Sequence, residues 1–150
     1  MEKKNFNKKI LILSSNFYHD ISKNLQEGVL NVLKNEKIDF ELKIINGSLE
    51  IPFFLEKYKR QFLGYIIIGC VIKGETDHYH YICDAVVNGI MNLTLRSATP
   101  ILFGVLTCQN KKLAQDRSGD DKKTNKGYEL GIMSKNILFE EDNSDYFIKT

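Results

Sequence analysis

"YIIIGCVIKGETDHYHY", Tyr65–Tyr81, decides the fold. From Tyr65 to Ile72 it is continuously apolar, which suits a strand buried on both faces, as in a parallel sheet. Then the chemistry reverses, and Gly74, Glu75, Thr76, Asp77 and His78 follow in one short turn. From His78 to Arg96 an apolar stripe of Ile82, Ala85, Val86, Gly89, Ile90 and Leu93 repeats at helical spacing. A strand, a polar turn and a helix make half of a βαβ unit. A strand buried on both faces needs neighbours on both sides, so the rest of the chain must supply them.

It does so in both directions. "KILILSS" (Lys9–Ser15) reads as a first strand, and the stripe Ile21, Leu25, Val29, Val32 and Leu33 as a helix with Asp20 at its N-cap. "FELKIIN" reads as a second strand, closed by Asn46-Gly47. "IPFFLEKYKRQF" reads as a helix with Pro52 in its first turn. "ILFGVLT" (Ile101–Thr107) is the fourth strand. A short helix over Lys112–Arg117, a polar loop and a last helix from about Asn125 to Phe139 complete the pattern. Strands alternating with helices predict an α/β chain with a parallel sheet covered on both faces. Ligands of such sheets bind beyond the carboxyl ends of the strands. Those ends carry "SSNFYHD", "NGSLE", "KGETDH" and "TCQN", which are expected to meet at one edge.

Composition bounds the function. A chain of 150 residues suits one domain, here taken as 1–150. A net charge of +2 leaves no electrostatic footprint for nucleic acid, and the basic start "MEKKNFNKK" reads as a solvated terminus. No apolar run approaches the ~18 residues of a membrane span, and no signal-peptide core opens the chain. The three cysteines, Cys70, Cys83 and Cys108, have no metal-type spacing and read as reduced thiols of a cytoplasmic protein.

The turn after the third strand has a chemical reading. A helix N-terminus presents unpaired N–H groups and positive partial charge. With Gly74 admitting close approach and Thr76 offering a hydroxyl, it makes an anion site of the phosphate kind. Thr76 or Asp77 acting as a plain helix cap is the competing reading. His78, on the first turn, suits proton transfer at neutral pH, or is a surface histidine. Arg117 suits phosphate contact, or is a solvated arginine. A metal held by His19, His78 and His80 is not expected, because residues i and i+2 do not share a helix face.

Taken together, the segments resemble the lumazine synthase family over about Lys9 to Lys135. "SSNFYHDI", "INGSLEIP", "GCVIKGETDHYHYI", "PILFGVLTCQNKKLAQDRSG" and "NKGYE" follow the family's motifs in order and at its spacing. The resemblance implies a three-layer αβα sandwich around a four-stranded parallel sheet, flavodoxin-like in its layering. It implies condensation of 5-amino-6-(D-ribitylamino)uracil with 3,4-dihydroxy-2-butanone 4-phosphate, the penultimate step of riboflavin biosynthesis, without cofactor or metal. By the same resemblance Phe17 stacks on the pyrimidine, and Ser48, Leu49, Glu50, Cys70, Val71 and Ile72 bind its ribityl chain and ring edge. Glu75, Thr76 and Arg117 hold the phosphate, and His78 carries protons. Phe103 comes from a neighbouring subunit, and Lys126 and Glu129 form a supporting pair. The implied assembly is a homo-oligomer with shared sites, a pentamer or a sixty-subunit shell built from pentamers.

The chain departs from the family's motifs at Tyr18 (usually Asn), Asn46 (Pro), Leu49 (aromatic), Lys73 (Arg) and His80 (Asp or Glu). The stretch Arg117–Lys126 is one residue longer than usual, which favours free pentamers, or pairs of them, over the shell. Two other readings compete: a non-catalytic flavin or lumazine binder, and a flavodoxin-like signalling or electron-transfer domain. Retention of His78 and Arg117 weighs against the first, and the poor phosphate loop "SSNFYHD" against the second.

Overall fold

A computed structural model describes residues 8–139. The basic start of the chain therefore lies mostly outside the described residues. Four strands, β1 (Ile10–Ser15), β2 (Phe40–Ile45), β3 (Gly64–Ile72) and β4 (Ile101–Cys108), form one all-parallel sheet in the order β2-β1-β3-β4. The helices are α1 (His19–Asn35), α2 (Ile51–Tyr58), α3 (His78–Arg96), α4 (Lys111–Asp116) and α5 (Lys126–Phe139). β3 is central, with Ile66, Ile67 and Ile68 fully buried. Its two-sided burial explains why its sequence does not alternate.

Two cores lie on opposite faces of the sheet. On one, Ile10, Ile12, Ile66, Ile68, Leu102 and Leu106 pack against Ile21, Leu25, Val29 and Leu33 of α1, Ala114 of α4 and Leu130 of α5. On the other, Leu11, Leu13, Tyr65, Ile67 and Val105 pack against Ile51 and Leu55 of α2 and Val86 and Ile90 of α3. The strands' period of two sends alternate residues to the two faces. The result is the three-layer sandwich that the sequence predicts.

Three local expectations are corrected. Asp20 is not the N-cap of α1: Tyr18 holds that position and Asp20 lies in the first turn, where its charge still suits the helix dipole. α2 stops at Tyr58, short of the predicted Phe62. Arg60 adopts φ 61, and Phe62 turns inward to pack edge-on against Tyr65 at 5.9 Å. Burial of that ring outweighs the helical pattern. Ala85 is exposed, although it belongs to the apolar stripe of α3. The buried contacts of α3 are Tyr79, Val86 and Ile90, while Tyr81, Val87, Met91 and Leu95 also face outward. The apolar surface of α3 is thus wider than the face one chain can cover.

Candidate active site

The strand order 2-1-3-4 places a switch point between β1 and β3. Chain leaving β1 and chain leaving β3 diverge there and open a crevice at the carboxyl edge. The crevice found there has a volume of about 340 Å³. Phe17 and Tyr18 line it from the end of β1, and Gly47, Ser48, Leu49 and Glu50 from the segment after β2. Cys70, Val71, Ile72, Gly74, Thr76, His78, Tyr79 and Ile82 line it from β3, its turn and α3.

Each segment is placed by a local cause. Ser48–Glu50 forms a single 3₁₀ turn running straight into α2, whose Pro52 occupies the first helical turn, where its missing N–H costs nothing. The sequence reading did not anticipate that turn. Phe17 is 73% exposed and makes an edge contact with Tyr18, at 5.0 Å and 76°. A flat, exposed ring at the mouth of a cleft is a stacking platform. Gly74 has nothing within 4 Å of where a Cβ would sit, so the turn is open to approach. The Thr76 hydroxyl accepts the His78 N–H at 3.3 Å. Asp77 is the N-cap of α3 and makes no side-chain cap bond; Thr76, one residue earlier, satisfies the first N–H of the helix, and an accepting hydroxyl keeps its own proton to donate.

The floor is mostly apolar. Burial pushes the Cys70 thiol up to about 12, with nearby Cys108 adding to it. Burial also raises the Tyr18 and Tyr79 hydroxyls, with Cys70 and Cys83 as the respective second causes. All three cysteines are free. Thiols held this firmly protonated are poor nucleophiles. The His78 imidazole lies on the cleft wall. Among the described residues, no group of three or more His, Cys, Asp or Glu side chains could hold a metal ion. His19 instead pairs its Nδ1 with Asn16 Oδ1 at 3.0 Å.

Of the sequence-derived candidates, Phe17, Ser48, Leu49, Glu50, Cys70, Val71, Ile72, Thr76 and His78 share this cleft. Glu75 is exposed on the same turn without lining it. Phe103 projects from the edge strand β4, 37% exposed, outside the chain's own cleft. Arg117 caps the end of α4 and is exposed; its carbonyl accepts the Lys126 N–H at 2.8 Å. Lys126 and Glu129 pair with each other at 2.8 Å on the first turn of α5. Tyr18, Tyr79 and Ile82 were missed. Ile82 lies four residues beyond His78, on the same helix face, which is a signal for it in the spacing; Tyr79, next to His78, has no such signal.

Comparison with known proteins completes the picture. A family model described as 6,7-dimethyl-8-ribityllumazine synthase matches residues 7–135. Curated relatives named 6,7-dimethyl-8-ribityllumazine synthase resemble most of the chain. One from Leuconostoc mesenteroides is 39% identical over 131 residues, 84% of this chain and 83% of the relative. One from Bartonella bacilliformis is 37% identical over 130 residues, 84% and 85% of the two chains. One from Helicobacter pylori strain Shi470 is 36% identical over 128 residues, 82% and 81%.

Proposed function

The chain belongs to the 6,7-dimethyl-8-ribityllumazine synthase family, and from that premise we propose that the β1/β3 cleft is where its two substrates condense. Lumazine synthesis is the family's activity and this chain's. It joins 5-amino-6-(D-ribitylamino)uracil to 3,4-dihydroxy-2-butanone 4-phosphate and releases phosphate and water. The observation that carries the location is the convergence of Phe17, Ser48–Glu50, Thr76 and His78, from three separate loops, on one crevice.

The chemistry divides between the two ends of that crevice. At the Phe17 end the pyrimidine stacks, and its ribityl chain runs along the Ser48–Glu50 turn. At the Gly74–Thr76 end the phosphate of the four-carbon substrate meets the start of α3, where backbone dipoles and the Thr76 hydroxyl favour an anion. The amine adds to the ketone and a first water leaves, phosphate is eliminated, and the second amine adds to the remaining carbonyl and closes the ring as a second water leaves. Each step moves a proton, and His78 between the two subsites takes and returns it. Holding both reactants in register supplies much of the acceleration, since ordered bimolecular reactions gain roughly 7–11 kcal/mol that way.

Phe103 and Arg117 lie outside their own chain's cleft, so their assigned roles require a second copy. Phe103 would cover the pyrimidine of a neighbour, and Arg117 would bind the phosphate. The outward apolar face of α3 (Tyr81, Val87, Met91, Leu95) and exposed Phe53 supply surface for such an interface. A closed pentameric ring with sites at its interfaces accommodates these features. Purified protein mixed with both substrates should form a fluorescent lumazine with phosphate released one to one. Folded protein that releases no phosphate and forms no lumazine would refute the reading.

A further inference from the structure

We propose that Ser15 is a positioning residue that fixes Ser48 as a hydrogen-bond donor to an acceptor oxygen of the pyrimidine substrate. The inference rests on the reading of the cleft given above. Ser15 ends β1 and is 1% exposed; Ser48 lines the cleft and is 7% exposed. Their hydroxyl oxygens lie 3.1 Å apart, linking two segments that are 33 residues apart in sequence.

The direction of that bond follows from elimination. A buried hydroxyl must place its proton on an acceptor, because an unpaired buried donor costs about 1–3 kcal/mol. The neighbouring Ser14 is engaged elsewhere: it accepts from Gln26 Nε2 at 2.7 Å and donates to the Ser15 carbonyl at 3.3 Å. Ser14 and Ser15, adjacent on a strand, point to opposite faces of the sheet. Among the described residues, the hydrogen-bond partner of the Ser15 hydroxyl is the Ser48 hydroxyl. Ser15 therefore donates and Ser48 accepts. The Ser48 proton is left free to point into the cleft, where it pairs with an acceptor oxygen.

Gly69 leaves room for the pair. A Cβ built there would stand 2.7 Å from the Ser48 oxygen and 2.9 Å from the Ser15 oxygen. The two hydroxyls pack over Gly69, in the space that a side chain on β3 would fill.

The test is titration calorimetry with the aminouracil substrate and, separately, the butanone phosphate. Ser15→Ala should weaken the aminouracil about two- to tenfold, the range of one net hydrogen bond, and leave butanone phosphate affinity and saturated kcat nearly unchanged. In a Ser48→Ala background it should cost nothing further, because its effect runs through Ser48. Ser15→Thr should retain affinity that the similarly shaped Ser15→Val loses, which keeps the comparison valid if Ser15→Ala folds poorly. Unchanged aminouracil affinity in Ser15→Ala and Ser15→Val, additive losses in the double variant, or weakening of the butanone phosphate instead would overturn the proposal. Phe17→Ala separates the two failures: if it too leaves aminouracil affinity intact, the pyrimidine subsite itself is misplaced.

Discussion

His78 and Arg117 make opposite demands on the same reaction. His78 sits on the cleft wall beside the turn that would hold phosphate. His78→Ala should lower turnover about ten- to a thousandfold, toward or below the usual 10²–10⁴ of general acid–base catalysis, since the condensation proceeds slowly unaided. Circular dichroism should be unaltered, because the side chain is exposed. A turnover rate equal to the parent's across pH 6–8 would remove His78 from the mechanism. Arg117 is exposed at the end of α4 and does not line its own chain's cleft. Arg117→Ala should weaken butanone phosphate by about 1.5–3 kcal/mol, the range of a charge-assisted contact, and spare the aminouracil. Titration with each substrate separately decides it: equal weakening of both would contradict a phosphate role.

Between elements, α1 and α5 cross closely at two glycines of α5. A Cβ on Gly127 would run into the Leu25 carbonyl oxygen, and one on Gly131 would meet Val32 Cβ at 2.8 Å. Asn125 locks the start of α5 there: its side chain accepts the Tyr128 N–H at 3.0 Å and donates to the Gly119 carbonyl at 2.9 Å. Backbone cannot step aside as a flexible side chain can. Gly127→Ala should therefore destabilise the protein by about 1–3 kcal/mol, the usual cost of overpacking, despite alanine's higher helix propensity. A urea midpoint equal to or above the parent's would mean that α5 is free to shift outward.

For the whole molecule, two properties follow from burial. The first is assembly. Phe103 and the outer face of α3 are exposed on one chain, and the shared-site proposal requires an oligomer that covers them. Light scattering at neutral pH should give a mass near five or ten subunits. A shell-sized mass would overturn the preference drawn from the longer 117–125 loop, and an active monomer would overturn the shared site. The second is alkaline sensitivity. Burial raises the Cys70 thiol from 9.0 to about 12 and raises Cys83, Cys108, Tyr18, Tyr65 and Tyr79 in the same direction. In that window the folded chain holds protons that the unfolded chain has released. Stability is then full below pH 9 and falls as pH rises toward 12. The denaturant midpoint at pH 10.5 should lie below that at pH 8; a higher midpoint would contradict the buried-thiol picture.

The amino-acid pattern by itself determined the elements and the edge at which chemistry gathers. Unbroken apolarity from Tyr65 to Ile72 can only be satisfied by neighbours on both sides, and parallel strands place their following loops at one end. Hence the loops that carry Phe17, Ser48 and His78 were expected at one edge, while roles for Phe17 and Ser48 came only from the resemblance to the family. Tertiary structure alone decided which helices share a face, because a periodic stripe states that a helix is buried and not against what. It decided that α2 ends at Tyr58, where burying Phe62 against Tyr65 outweighed a helical pattern. It decided that Ala85 stays in solvent, since one sheet face has room for only part of the apolar surface of α3. And it joined Ser15 to Ser48, a contact between residues far apart in sequence that no local periodicity encodes.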